Sequence, residues 1–320
     1  MNYKNFDDSF FKVFDAKNNI INGGLLYRVP ASIKDGFNFE YLIFIPNNVK
    51  EHSTLILEGT NYETFKTKDE NERIECLCEE FEEFKDSIHY SNSESNFPIL
   101  YPLIPGYYDE EIHQEVYTHI LSSDSLKIEN KFKRVDKQII NMINDVKRRL
   151  YDNDIILDER IILYGFSFSG MFANRFALLH PGIVKLIIAG GLDGTLILPF
   201  KKYKNMELMY PIGIDGVDEI NDYKIIEFLK IKQFYYQDIN DKVDFFDSKN
   251  GVPLYDGVIT SFELRWLYSI LGRKIETRWK NSRMIYKKIC KNIIFRTYNY
   301  GKHSDEVAKE LIKKLLNGEI

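Results

Sequence analysis

Cysteine is scarce in this chain, three residues in 320. Three cannot all pair, and no basic-then-apolar leader with a small-residue cleavage site stands at the N-terminus. A reduced, cytoplasmic protein is therefore expected, not a disulfide scaffold. Long apolar runs are also missing. The most apolar stretch, 183–200, is interrupted by Lys185 and Asp193, so no membrane span is expected. Positive charge is not in excess: the net charge is −5, which argues against a nucleic-acid partner, and the lysines of 201–204 and 287–291 read as solvated surface. Histidine and cysteine never group at metal-ligand spacing. Cys76 and Cys78 lie two apart on an expected helix and point in different directions, so no metal or other cofactor is expected. Repeats and low-complexity linkers are absent. What is present is 44% hydrophobic residues, enough for a sizeable core, and residues 1–320 read as one domain with insertions.

Apolar runs set the organisation. Leu25–Val29 and Tyr41–Ile45 read as an antiparallel pair around a glycine-containing turn, and 54–58 as a short buried strand ending at Gly59-Thr60-Asn61. Ile74, Leu77, Phe81 and Phe84 recur at helical spacing within 69–86, beside a Glu-rich solvated face. Phe97–Ile104 is the next strand, 129–150 an amphipathic helix, 161–164 a strand and Val184–Ala189 another, ending at Gly190-Gly191. This alternation predicts an α/β fold with a mostly parallel central sheet covered on both faces by helices. Ligands in such sheets bind beyond the carboxyl ends of the strands, where Gly59–Asn61, Ser167 and Gly190-Gly191 all fall. Residues 192–231, rich in turn signals and scattered aromatics, read as a lid or pocket-wall insertion. The strand pattern resumes at 233–237. A further helical insertion follows at about 242–291, helical over 261–291, then a strand over 293–298 and a last helix to about Leu316.

The most informative segment is Gly165-Phe166-Ser167-Phe168-Ser169-Gly170, placed between a strand and a helix. A serine on so sharp a turn takes a strained backbone conformation that lifts its hydroxyl above the sheet edge. Residues two positions away touch the turn and must be small. Gly165 and Ser169 both qualify, with serine standing where a second glycine is usual. Ser169 as the nucleophile is the lesser alternative, since it stands a step into the helix, where packing or capping is its expected work.

A serine hydroxyl is a poor nucleophile at neutral pH and needs a base, usually histidine, oriented by a carboxylate. Both are available on loops that follow strands, in the order Ser…Asp…His. With the 165–170 hexapeptide, His180-Pro181 before the next strand, the acidic loop after Tyr235-Tyr236-Gln237 and Gly301-Lys302-His303-Ser304, the chain resembles the α/β-hydrolase family, serine esterase-like, over most of its length. The resemblance implies a Ser–His–Asp hydrolase acting through an acyl-enzyme. His52, His89, His113 and His119 precede the nucleophile and His180 ends a helix, which leaves His303 as the base. Asp238, nearest its strand end, is the preferred acid, and Asp241, three residues on, is the alternative. The resemblance also implies an oxyanion hole from the backbone N–H of Phe168 and of Thr60 or Asn61. Cleavage of a small-molecule carboxylic ester or acyl substrate is the leading function, partly by fold analogy. A peptidase or acyltransferase using the same triad, and a non-catalytic binding protein on the same fold, are the alternatives.

Overall fold

A computed structural model describes residues 12–13, 20–21, 24–61, 69, 72, 88–89, 91–109, 114–116, 118–249, 252–253 and 259–320. Among these, ten strands form one sheet: β1 (Lys12–Val13), β2 (Ile20–Ile21), β3 (Gly24–Val29), β4 (Tyr41–Pro46), β5 (Ile56–Glu58), β6 (Ile99–Pro102), β7 (Ile161–Phe166), β8 (Val184–Gly190), β9 (Lys232–Asp238) and β10 (Ile293–Tyr298). Their spatial order is β1-β3-β4-β6-β5-β7-β8-β9-β10, with β2 also pairing with β3. β3 and β4 pair antiparallel, as two apolar runs around a glycine-containing turn predict, and β4 runs antiparallel to β6. From β6 through β5, β7, β8 and β9 to β10 every pairing is parallel.

Burial explains the near-continuous apolar runs. Ile161 and Leu163 of β7 join one core cluster while Ile162, Tyr164 and Phe166 join the other, because successive side chains point to opposite faces. The first face packs against α1 (Val135–Tyr151) and α2 (Phe168–Leu179), and the second against the C-terminal helix α6 (Lys309–Leu316). Three further helices, α3 (Asp222–Lys230), α4 (Ser261–Ile270) and α5 (Ile275–Ile289), lie in the connections between β8 and β10.

Several boundaries differ from the sequence reading for local reasons. The helix expected from 129 begins at Val135, after Arg134 takes a left-handed φ of 47°. The helical stretch 261–291 is two helices, broken where Gly272 adopts φ 101°. Within 192–231, α3 is helical, started by Asn221, whose side chain accepts from the Lys224 N–H. Leu192, Leu196, Leu198, Leu208 and Ile212 of the same segment are buried in the main core. Of the helix expected over 69–86 only residues 69 and 72 are described; Cys76 and Cys78 lie outside the described residues, as does His113. No helix among the described residues is long and apolar enough to cross a membrane.

The chain order creates the site. From β5 the chain steps outward to β6, then returns to the far side of β5 as β7, so the order in which strands are added reverses between β5 and β7. The carboxyl ends of those strands open a crevice at the reversal. The loops after β5, β7, β8, β9 and β10 all face it from the same edge.

Candidate active site

Ser167 closes β7 and opens α2 with φ 63° and ψ −129°, a conformation that L-residues seldom adopt. Its N–H still donates to Gly190 O at 2.9 Å, continuing the sheet, while its carbonyl accepts from the N–H of Gly170 and Met171. The turn is pinned on both sides by size. A Cβ at Gly165 would stand 2.1 Å from the Ser169 carbonyl oxygen. Ser169 itself is buried; its Oγ donates to Phe166 O at 2.7 Å and accepts from Phe166 N–H at 2.8 Å, closing the elbow on itself. The volume of its Cβ is accommodated by the neighbouring loop, since a Cβ at Gly59 would lie only 2.7 Å from it. Glycine at 59 thus makes room for serine at 169.

His303, on the loop after β10, reaches back to this serine. Its Nε2 lies 3.0 Å from Ser167 Oγ, and its Nδ1 lies 2.6 Å from Asp241 Oδ2. A carboxylate only accepts, so Nδ1 carries the proton; the neutral ring then accepts the serine hydroxyl's hydrogen at Nε2. The other Asp241 oxygen accepts from Val243 N–H at 2.9 Å. Phe166 lies 4.8 Å and Phe245 6.1 Å from the imidazole, ring centre to ring centre, and Phe245 stacks on Phe168 at 3.9 Å. These rings narrow the space in which the imidazole could swing or meet water.

Of the two candidate carboxylates, the structure brings Asp241 to His303 and not Asp238. Nearness to the strand end is the wrong criterion here. Asp238 is still in β9, and its carboxylate accepts backbone N–H groups of Asn240 and of 300–302. Thr60 and Asn61 lie on the loop after β5. Asn61 Oδ1 accepts from Ser169 N–H at 2.9 Å, tying this loop to the start of α2, and Thr60 Oγ1 donates to Pro102 O at 3.2 Å, tying it to the end of β6.

The sequence reading did not single out the layer beneath Phe245. Asp193, fully buried after β8 with φ 50°, accepts Phe245 N–H through Oδ2 at 2.5 Å, and its Oδ1 has no hydrogen-bond partner among the described residues. Burial, reinforced by the charge of Asp244, holds its carboxyl well above the usual carboxylate range. The buried Arg278 of α5 donates to Asp193 O at 2.8 Å and pairs with Asp244 at 2.6 Å, tying α5 to the loop that carries Asp241. Only the Gly190-Gly191 strand end hinted at this neighbourhood. His180, at the end of α2, instead pairs with the buried Asp136 at 2.7 Å, as a helix-ending structural residue would. Among the described residues no cluster of three or more metal-ligating side chains occurs.

No family model and no curated protein sequence matches the chain. Solved structures do resemble it. They include a poly(aspartic acid) hydrolase from Sphingomonas sp. KT-1 (13% identity, 93% of this chain and 99% of that one, TM-score 0.58). A poly(3-hydroxybutyrate) depolymerase from Bordetella parapertussis is similar at 13% identity over 93% of this chain and 91% of that one, with TM-score 0.57. An S-formylglutathione hydrolase from Agrobacterium tumefaciens follows at 11% identity, 95% and 97% coverage and TM-score 0.51. Identities this low speak to architecture. Together with the strand order and the strained serine between β7 and α2, they show that the chain has the α/β-hydrolase fold.

Proposed function

We propose that the protein is a serine hydrolase that cleaves a carboxylic ester through an acyl-enzyme, with Ser167 as nucleophile, His303 as general base and Asp241 as the acid that orients it. The observation that carries this reading is the unbroken relay from Ser167 Oγ, 3.0 Å to His303 Nε2, and from Nδ1, 2.6 Å to Asp241. Ser167 Oγ attacks the ester carbonyl as its proton passes to Nε2. The Asp241 carboxylate stabilises the imidazolium, which then protonates the departing alcohol. A water molecule, deprotonated at the same nitrogen, releases the acid and restores the serine.

Negative charge on the carbonyl oxygen needs donors that are already in place. The backbone N–H of Phe168 and one from Thr60 or Asn61 are the proposed pair. The hydrogen bond from Ser169 N–H to Asn61 supports this by holding the two segments together. One such donor contributes about 3 kcal/mol to the transition state. The stacked Phe168 and Phe245 favour an apolar acyl or aryl group beside the nucleophile.

A fluorophosphonate probe tests the reading, alongside p-nitrophenyl esters of increasing chain length with amide and acyl-acceptor substrates in the same panel. Ser167 is expected to be labelled in the folded protein, and Ser167→Ala to lower turnover by about 10⁶-fold. Absence of labelling, or an Ser167→Ala variant that keeps most of its activity, rejects the proposal.

A further inference from the structure

The loop that bears His303 has no regular secondary structure from 299 to 304, yet the imidazole must meet Ser167 and Asp241 together. What holds that loop is a carboxylate. Asp238 Oδ2 accepts three successive backbone N–H groups, from Tyr300 at 2.8 Å, Gly301 at 3.0 Å and Lys302 at 3.4 Å. Gly301 takes φ 72°, and a left-handed residue in such a run turns consecutive N–H groups inward into an anion-binding nest. The second oxygen, Oδ1, accepts from Asn240 N–H at 2.9 Å, one residue before Asp241. Asn240 Nδ2 then crosses to Asn299 O at 3.1 Å. On the downstream side, Asp305 accepts from the Tyr164 hydroxyl at 2.6 Å, fixing the end of the same loop to β7.

We infer that Asp238 is a positioning residue: its carboxylate gathers the acid-bearing and base-bearing loops and thereby sets the contact between Asp241 and His303. This rests on the Ser167–His303–Asp241 reading above. Asp238 touches neither the imidazole nor the serine, so it acts through the backbone alone. It is only 5% exposed, and its two oxygens are occupied by four backbone N–H donors. Neutral asparagine of the same shape offers one acceptor oxygen in place of two and turns an NH₂ group towards either the nest or Asn240. One of the two loops must then loosen. A displacement of about 1 Å at a proton-transfer site costs on the order of 10²-fold in rate.

The test is Asp238→Asn in the full chain, with active sites counted by fluorophosphonate and kcat expressed per labelled site. The expected result is about a 10²-fold fall in per-site kcat with KM nearly unchanged. Loss or broadening of the far-downfield proton resonance of His303 Nδ1–H should accompany it. A merely structural role would lower the number of labelled sites and leave per-site kcat and the resonance as they are, which overturns the inference. If Asp238→Asn does not accumulate folded, Asp238→Ala is assayed with added formate, a small carboxylate that fits the vacated nest. Formate-dependent recovery of kcat supports the role, and a folded variant that ignores formate overturns it. Ser167→Ala, measured in parallel, separates the two levels. If it keeps turnover, the triad reading itself fails. If it is inert while Asp238→Asn keeps its per-site kcat, only the positioning role fails.

Discussion

Asp241 Oδ2 lies 2.6 Å from His303 Nδ1, a contact made between loops 62 residues apart in sequence. The proton on Nδ1 is what leaves Nε2 free to accept from Ser167. Asparagine at 241 can present its NH₂ to that nitrogen and invert the tautomer. Asp241→Asn is therefore expected to lower kcat by about 10⁴-fold with the fold intact. Asp238→Asn should cost far less. Steady-state kinetics on both variants decides the order, and a larger loss at Asp238 would return the role of acid to that residue.

Gly59 and Ser169 are matched in size where their loops pack together, and a Cβ at 59 would lie 2.7 Å from that of the serine. Gly59→Ala should destabilise the protein by about 1–3 kcal/mol through overpacking. Ser169→Gly in the same chain should relieve part of that cost, although it also gives up both hydrogen bonds of Oγ to Phe166. Urea unfolding of the two single variants and the double variant measures the coupling, expected at about 1 kcal/mol. Strict additivity would show that the contact is slack.

In the fold, burial and the charge of Asp244 favour the protonated form of the Asp193 carboxyl. A raised native value means that the stability this proton contributes is complete below the unfolded carboxyl's 3.8 and is lost as the pH rises towards the native value. Asp193→Asn keeps an acceptor for Phe245 N–H and has no proton to lose. It is expected to be more stable than the parent at pH 7, with the advantage shrinking towards pH 4. Thermal melts across that range check the trend, and a difference independent of pH contradicts it.

His119 behaves in the opposite sense. Burial lowers its imidazole from 6.5 to about 4, so it is neutral in the fold. A depressed native value contributes stability that is present above 6.5 and lost as the pH falls towards about 4, roughly 3 kcal/mol over that interval. His119→Gln should flatten this part of the acid-unfolding curve. Denaturant midpoints at pH 7, 5.5 and 4.5 would show it.

Much of the fold is legible in the sequence because it rests on local rules. The β7–Ser167–α2 turn announces itself through small residues at 165 and 169, since their contacts are with their own near neighbours. The apolar strands read correctly for the same reason: burial on both faces leaves no polar alternation to misplace. Helix α3 was hidden within 192–231 because it is only nine residues long and the segment before it is dense in turns, although Asn221 stands at its start as a cap.

The site divides along the same line. Sequence alone determined that a strained serine ends a central strand, and that a histidine and two aspartates follow on later strand-end loops. Only the tertiary structure decided which aspartate meets the histidine and what the other does. Asp238 and Asp241 are three residues apart and chemically identical. Their difference arises because β9 and β10 lie side by side, so one carboxylate falls beneath the backbone of 300–302 and the other beside the imidazole. The same is true of Gly59 and Ser169, and of Asp193 under Phe245. Contacts between loops depend on strand order and sheet geometry, which no local pattern of residues encodes.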